Sequence, residues 1–223
     1  MLSKRVVIIA HGDLKDLSFY QNLIRDNDLI LCVNGGTGHA LALGLKPDLV
    51  IGDLDSLRVT DREKIDQFKT QLIRHPSEKD KSDLELALDH AVSLQPSEIL
   101  IIGALGGARF EHAFINVLLL DIPLRKSIPA RIIEERQEIL MARKEAVLSG
   151  AEGDYLSLFA LTEEVCGIIT EGLKYPLNNE SLFYASSRGL SNELTAPQVK
   201  VSFQSGLLLA VKTHAIRNTR FPE

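Results

Sequence analysis

The chain has 223 residues, of which 45% are hydrophobic and 25% are charged, and its formal net charge at pH 7 is -5. This composition is ordinary for a globular protein with a sizeable core. The acidic balance argues against a general nucleic-acid binder, which usually carries a basic stripe. No apolar run approaches the roughly 20 residues that cross a bilayer, so we expect no membrane association.

The first part of the chain, to about residue 140, alternates short apolar runs with amphipathic stretches. We predict strands at residues 6–10, 29–33, 49–51, 71–74 and 99–102. We predict helices at residues 17–25, 37–43, 61–68, 82–93 and 111–119. Strands that are apolar on both faces and separated by helices indicate a mainly parallel sheet covered on both sides. Ligands of such sheets bind at the carboxyl ends of the strands.

The pattern changes after this region, where the apolar runs become short and turn residues become frequent. We predict strands at residues 155–160, 165–169, 181–185, 199–203 and 207–211. Such spacing is typical of an antiparallel sandwich or barrel. We therefore predict an α/β domain at residues 1–142, an antiparallel β domain at residues 143–216 and a disordered tail at residues 217–223.

The two cysteines, Cys32 and Cys166, each lie beside an apolar residue. Two cysteines make neither a disulfide framework nor a zinc site. We expect both thiols to be reduced and buried, as in a cytoplasmic protein.

An acidic pair follows the third predicted strand, where Gly52 is succeeded by Asp53 and Asp55. If the chain stays extended, side chains two residues apart point to the same side. Two carboxylates at a strand's carboxyl end provide the hard oxygen ligands of Mg²⁺. The alternative is a plain acidic turn in which an aspartate caps the next helix.

A loop dense in charge, residues 75–82, leads into the fourth predicted helix. Ser82 or Asp80 can cap this helix, so one interpretation is a well-capped surface helix. In the functional interpretation, Asp83 completes the metal cluster, and Lys79 or Lys81 contacts phosphate.

Two glycine-rich segments also follow predicted strands, at residues 33–39 and 103–109. Glycines let a ligand approach the backbone, and the N–H groups at a helix start attract anions. Arg109 could hold phosphate in a bidentate fork, whereas His112 alone is more often a structural hydrogen-bonding residue. The segment at residues 103–109 matches neither the Walker A nor the G-x-G-x-x-G pattern, and the segment at residues 33–39 is a weak signal in isolation. Because all of these motifs follow strands of one sheet, together they indicate a nucleotide-phosphate and magnesium site.

The motifs at residues 47–56, 78–83, 107–112 and 189–193 together resemble the thiamine pyrophosphokinase family. The resemblance spans nearly the whole chain, in order and at similar spacing. It implies an ATP-binding α/β domain, a thiamine-binding β-sandwich domain and a homodimer that holds thiamine between the sandwich of one subunit and the α/β domain of the other. It also implies transfer of diphosphate from ATP to the hydroxyl of thiamine, giving thiamine diphosphate and AMP.

The resemblance assigns roles to particular residues of this chain. The catalytic, Mg²⁺-binding carboxylates are Asp53, Asp55 and Asp83. The predicted ATP-binding residues are Lys79, Ser82, Arg109 and His112. Ser191 and Asn192 match the Ser-Asn pair that contacts thiamine. A clustered aspartate is the expected base for the thiamine hydroxyl.

Several positions depart from the family pattern. Asn34 stands where the family usually has aspartate, Glu111 stands where it usually has aspartate, and Ser82 replaces threonine. The glycine loop before Arg109 also carries one extra residue. Two alternatives therefore stay open: a diphosphokinase for another hydroxymethyl compound, such as a pterin alcohol, and a nucleotide- or thiamine-binding protein without catalysis.

Overall fold

The computed structural model describes residues 4–54, 57–76, 78–107 and 109–215. The chain divides into two compact units, Met1–Glu135 and Arg136–Glu223. Within the described ranges, no helix has both the length and the apolar character needed to span a membrane. The predicted tail, residues 217–223, lies outside these ranges.

The first unit alternates strands and helices along the chain. Its strands are β1 (Val6–Ile9), β2 (Leu29–Val33), β3 (Leu49–Gly52), β4 (Gln71–Arg74), β5 (Ile99–Ile102) and β6 (Ala130–Ile133). Its helices are α1 (Leu17–Leu23), α2 (Gly36–Ala42), α3 (Val59–Phe68), α4 (Asp83–Ser93), α5 (Phe110–Leu118) and α6 (Asp121–Arg125). The strands pair in parallel in the order β6-β5-β1-β2-β3-β4, which confirms the predicted parallel sheet.

The central strands are buried on both faces, as their continuous apolar runs require. Every residue of β1, β3 and β5 is buried. Val7 and Ile9 point to one face of the sheet, where they pack in a core cluster with Tyr20 of α1 and Ala40 of α2. Ile8, between them, is also fully buried and faces the opposite side, because side chains alternate along a strand.

The strand order changes direction at β1, which lies between β2 and β5. Such a switch opens a crevice beyond the carboxyl ends of the strands. The loops after β1 and β5 meet there, where the N–H of Gly12 donates to the carbonyl of Gly103 at 2.7 Å. A Cβ atom at Gly12 would lie 2.3 Å from the Leu105 carbonyl oxygen, so this close approach requires glycine.

The second unit contains two antiparallel sheets that share one core. Its strands are β7 (Gln137–Ala142), β8 (Glu145–Ser149), β9 (Tyr155–Ala160), β10 (Glu164–Glu171), β11 (Asn178–Phe183), β12 (Asn192–Glu193), β13 (Gln198–Ser202) and β14 (Leu208–Thr213). One sheet runs β12-β9-β14-β7 and the other β11-β10-β13-β8. Leu156 and Leu208 from the first sheet pack in one cluster with Val165 and Val199 from the second. The predicted antiparallel β-sandwich is thereby confirmed.

The domain boundary is predicted after residue 142, whereas the contacts divide the chain after Glu135. The strand β7 lies between these two positions and pairs with β14 of the second unit. Both cysteines are free thiols, Cys32 being buried and Cys166 half-buried. Burial raises the pKa of the Cys32 thiol above its usual value, with a smaller contribution from the Asp48 charge.

Candidate active site

A cavity of about 720 Å³ lies at the carboxyl ends of the strands of the first unit. Its volume falls in the range of small-ligand sites, roughly 300–1,000 Å³. It brings together predicted site residues from the ends of β3, α4 and α5, namely Asp53, Lys79, Ser82, Asp83, Arg109 and His112. The convergence of these motifs on one sheet edge is therefore as predicted, although their roles stay predictions. Asp55 lies outside the described residues.

Asp53 follows β3 at a point where the backbone turns sharply. Gly52 has φ of +147° and Leu54 has φ of +64°, so the chain leaves the extended form on both sides of Asp53. The side chain of Asn34 fills the space beside Gly52, because a Cβ atom there would lie 1.8 Å from the Asn34 Oδ1. The glycine thus serves two needs, a positive φ and room for a neighbouring amide.

Asp83 begins α4 and is held from two sides. The ammonium of Lys79 donates to its Oδ1 at 2.5 Å, and the amide of Asn34 donates to its Oδ2 at 2.5 Å. Ser82 is the N-cap of this helix, where its hydroxyl accepts from the N–H of Glu85 at 3.2 Å. The helix-cap interpretation of Ser82 is therefore correct, and it is compatible with a carboxylate at position 83 that faces the cavity.

Asn34 links three segments around the cavity. It follows β2 with φ of +44°, and its Oδ1 accepts from the N–H of Leu54 at 3.2 Å while its Nδ2 donates to Asp83. An aspartate at this position has no N–H to donate, so it would meet the Asp83 carboxylate as a second negative charge. The departure from the family pattern thus replaces a charge repulsion with a hydrogen bond.

The cations of the site are already paired. Arg109, at the N-cap position of α5, donates from Nε to Glu111 at 2.6 Å, and both side chains are exposed. The hydrogen bond from Arg109 is the main cause that lowers the pKa of Glu111. Lys81 also lines the cavity, but its ammonium lies 2.6 Å from Asp89. An incoming phosphate would compete with carboxylates for these cations.

The glycine loop after β5 rests on a buried glutamate that the sequence analysis missed. Glu134, which follows β6, accepts from the N–H groups of Ala104 and Leu105 at 3.2 Å each and from the Tyr20 hydroxyl at 2.8 Å. Burial raises the pKa of Glu134, and these hydrogen bonds partly oppose that effect. Asn116 of α5 donates to the Ala104 carbonyl at 2.7 Å from the other side of the loop. The signal in the sequence is an apolar run followed by acidic residues, as also occurs before Asp53.

Loop residues after β1 also line the cavity without having been predicted. His11 and Gly12 lie there, and the rings of His11 and His39 are 6.0 Å apart between centroids. His39 is half-buried, and burial is the main cause that lowers its pKa, which favours the neutral form of the ring.

Ser191 and Asn192 lie in the second unit, near a smaller cavity of about 220 Å³ that Asn192 lines. The Asn192 amide holds the backbone of Tyr175: its Oδ1 accepts from the Tyr175 N–H at 3.1 Å, and its Nδ2 donates to the Tyr175 carbonyl at 2.7 Å. Its Oδ1 also accepts from the N–H of Glu193 at 3.0 Å. Ser191 is exposed, with φ of +55°, and its N–H donates to Ser157 at 3.0 Å. Asn192 keeps one N–H for a ligand, and Ser191 keeps its hydroxyl.

The ranges that the structure describes contain no group of three or more His, Cys, Asp or Glu side chains placed to hold a metal ion. Asp53 and Asp83 nevertheless line the same cavity. Mg²⁺ often binds proteins through one or two carboxylates and takes its remaining ligands from phosphate and water. The oxygen donors present therefore fit a magnesium ion that arrives with a nucleotide.

Comparison with known proteins gives a consistent result. The model for "Thiamin pyrophosphokinase, catalytic domain" matches residues 20–132, and the model for its vitamin B1 binding domain matches residues 136–208. The chain is 31% identical to the thiamine pyrophosphokinase of Bacillus subtilis over 215 residues, which covers 94% of this chain and 99% of the relative.

Solved structures agree with this match. The crystal structure of the Bacillus subtilis thiamine pyrophosphokinase superposes with a TM-score of 0.85 at 30% identity, covering 96% of this chain and 100% of that one. The thiamin pyrophosphokinase of Geobacillus thermodenitrificans superposes with a TM-score of 0.81 at 30% identity, covering 95% and 98%. The yeast thiamin pyrophosphokinase, at 16% identity and a TM-score of 0.73 over 95% and 86%, shares the fold.

Proposed function

The chain belongs to the thiamine pyrophosphokinase family, and from this premise we infer that it transfers diphosphate from ATP to the hydroxyl of thiamine, giving thiamine diphosphate and AMP. It is thus an ATP-dependent diphosphotransferase. The observation that carries this function is the cavity in which Asp53 and Asp83 lie with Lys79 and Arg109. Acceptance of a polyphosphate by an acidic protein requires such local cations and a metal ion.

In the reaction, the thiamine hydroxyl oxygen attacks the β-phosphorus of ATP in line. The bond between the β-phosphorus and the oxygen that bridges to the α-phosphate breaks, and AMP leaves. The hydroxyl proton passes to one of the clustered aspartates. The protein contributes mainly positioning and charge stabilisation, as in other phosphoryl transfers.

Mg²⁺ is the proposed metal ion, with Asp53, Asp55 and Asp83 as its protein ligands. When bound, it would neutralise charge on the phosphate oxygens. Each Asp83 oxygen already accepts one hydrogen bond, from Lys79 or from Asn34, and keeps a further lone pair with which it could bind the metal ion. The Lys79 ammonium has two further N–H groups with which it could contact phosphate.

The remaining nucleotide contacts are assigned to the start of α5 and to Ser82. Arg109 can leave Glu111 at little cost, because the ion pair is exposed. His112 lines the same cavity from the first turn of the helix. We propose that Arg109, His112, Lys79 and Ser82 bind ATP.

The second unit is the proposed thiamine-binding part. We assign the contacts to the Ser191 hydroxyl and to the remaining N–H of Asn192. What supports the assignment is the match of residues 136–208 to the vitamin B1 binding domain.

We further propose that the protein is a homodimer in the cytoplasm. The helix α5 carries exposed aromatic and aliphatic side chains beside the cavity: Phe110 is 77% exposed, Phe114 54% and Ile115 42%. The rings of Phe110 and Phe114 stack with centroids 5.9 Å apart. A large exposed apolar patch of this kind usually marks an interface.

The free thiols of Cys32 and Cys166 agree with a reducing compartment such as the cytoplasm.

The function is tested by incubating the protein with ATP, Mg²⁺ and a panel of alcohols that contains thiamine and a hydroxymethylpterin. We expect AMP and thiamine diphosphate in equal amounts, with a strong preference for thiamine. AMP formation with the pterin alone would support the other diphosphokinase. Binding of ATP and thiamine without any AMP would support the non-catalytic alternative. The comparisons favour neither alternative.

A further inference from the structure

Glu134 is a buried carboxylate that the proposed reaction does not use. Glu134 is 9% exposed. It accepts hydrogen bonds from three neutral donors, which are the Tyr20 hydroxyl and the N–H groups of Ala104 and Leu105. Burying a charge is costly unless it is well hydrogen-bonded. The reason for a carboxylate at this place therefore lies in the groups that it holds.

What Glu134 holds is the first half of the glycine loop. The N–H groups of Ala104 and Leu105 point inward to one carboxylate oxygen, and the Ala104 carbonyl accepts from Asn116. The chain then turns through Gly106 and Gly107, with φ of +85° and +77°, both of which line the cavity. Fixing the first half therefore sets the direction in which the second half faces.

A second glutamate extends this arrangement to the loop after β1. Glu135 accepts from the N–H groups of Lys15 at 2.7 Å and Asp16 at 3.0 Å. Asp16 in turn caps α1 by accepting from the N–H of Ser18 at 3.0 Å, and α1 brings Tyr20 back to Glu134. The end of β6, α1 and both loops thus form a closed set of hydrogen bonds beside the cavity.

We propose that Glu134 is a positioning residue for the nucleotide: it fixes the glycine loop so that the N–H groups of Gly106 and Gly107, together with Arg109, face the phosphates of ATP. The inference rests on the proposed function of this cavity. It places the effect of Glu134 on ATP and not on thiamine.

The test compares Glu134→Ala, Glu134→Gln and the matched control Tyr20→Phe. The Tyr20→Phe variant removes one hydrogen bond to the same carboxylate but leaves those to the loop. We expect Glu134→Ala to raise the KM for ATP about tenfold, since it leaves two loop N–H groups without their partner. The KM for thiamine should stay within about twofold. Glu134→Gln keeps an acceptor oxygen of the same shape and should restore most of the ATP affinity.

A purely structural role makes a different prediction. If the KM for ATP rises in Tyr20→Phe and Glu134→Ala in proportion to their losses in Tm, the proposal is overturned. Equal rises in the KM for ATP and for thiamine would also overturn it.

Two further measurements keep the test decisive. Should Glu134→Ala not fold, amide hydrogen exchange in the native protein decides: slow exchange at Ala104 and Leu105 supports the bonds to Glu134, and exchange as fast as at Gly107 excludes them. Calorimetric titration of the variants with Mg²⁺ and ATP measures nucleotide affinity without turnover. A protein that binds ATP but makes no thiamine diphosphate would refute the proposed function while leaving the inference on Glu134 testable.

Discussion

Asp83 and Asp89 lie on the same helix, α4, and each pairs with a lysine. The distances from lysine Nζ to carboxylate oxygen are 2.5 Å for Lys79–Asp83 and 2.6 Å for Lys81–Asp89. Asp83 lines the cavity and also bonds to Asn34, whereas Asp89 is assigned no part in the reaction. The two aspartates are therefore a matched pair for separating metal binding from surface pairing.

We expect Asp83→Asn to lower kcat for diphosphate transfer at least about 100-fold, because a neutral amide cannot neutralise and orient Mg²⁺ as a carboxylate does. Asp89→Asn should change kcat less than about twofold, because exposed ion pairs contribute little. Steady-state kinetics with thermal unfolding of both variants makes the comparison. An Asp83→Asn enzyme with wild-type activity would remove Asp83 from the proposed metal ligands.

Asn34 gives a second prediction at this scale. In Asn34→Asp, two carboxylates would face each other where an amide now donates to Asp83 at 2.5 Å. We expect the variant to lose about 1–3 kcal/mol of unfolding free energy without metal, and to recover much of it in millimolar Mg²⁺. Thermal unfolding across a magnesium titration measures this.

The matched control for this substitution is Asn179→Asp, because Asn179 also has a positive φ of +56° but lies in the second unit. Its stability should not respond to Mg²⁺. The same small response in both variants would argue against a cation between positions 34 and 83.

Some of the site residues could be predicted from the sequence and others could not. The acidic and glycine motifs follow buried parallel strands, and strand ends share one edge of a sheet, so their convergence followed from order along the chain. Glu134 was missed because the strand that it follows, β6, was not predicted. The hydrogen bonds between Asn192 and Tyr175 join residues that are 17 positions apart, and no local sequence pattern predicts such a pair.

At the scale of elements, strands with a continuous apolar run were the easiest to predict. The bounds of β2 and β5, whose residues are all apolar, match the predicted residues, and so do those of β4 and β9, which are not continuous apolar runs. The segment that forms β6 and β7 was assigned no strand, because the charged residues 134–136 interrupt its apolar pattern at the turn between them, and the short strand β8 was not predicted either. Periodicity alone does not separate short strands from helical turns in such a segment.

The helix α5 carries a prediction about assembly. Phe114 on α5 and Phe183 on β11 are both 54% exposed. If a second copy covers α5, Phe114→Lys should convert the dimer to a monomer, since it places a charge in an apolar interface. Phe183→Lys should leave the protein dimeric, with the same mass of the assembly in solution. Sedimentation velocity over a concentration series measures both.

Two results would contradict this assignment of the interface. One is a wild-type protein that is monomeric at all concentrations. The other is a Phe114→Lys variant that remains dimeric, which would place the interface elsewhere.

At the scale of the whole molecule, the buried carboxylates Glu134 in the first unit and Asp154 in the second have pKa values that shift in opposite directions. Burial raises the pKa of Glu134 in the first unit. In the second unit, burial of Asp154 is outweighed by hydrogen bonds from the N–H groups of Ala151 and Ala215 and from His214, so its pKa is lowered below 3.8.

These shifts predict how acid affects each unit. A carboxyl group whose pKa is lower in the folded than in the unfolded state stabilises the fold at pH values above its unfolded pKa. The contribution of Asp154 is therefore lost as the pH falls below about 3.8. A raised pKa has the reverse sign, so Glu134 gains a proton on acidification and its cost of burial decreases. We expect the second unit to lose amide-exchange protection first when the pH is lowered from 5 to 3.

The Asp154→Asn variant tests the cause of this acid sensitivity. It should be less stable than the native protein at pH 7, and its second unit should lose less stability between pH 5 and pH 3. A first unit that loses protection before the second would contradict the assignment.

The contact between Gly52 and Asn34 limits how this sequence can vary. Any side chain at position 52 would occupy the volume of the Asn34 amide, since a Cβ atom there would lie 1.8 Å from Oδ1. If position 52 alone is randomised and the variants are selected for a folded and active protein, we therefore expect only glycine to be recovered there. Because Gly52 also has a positive φ of +147°, a smaller residue at position 34 would not by itself allow another residue at position 52, so new substrates have to be sought through other positions of this site.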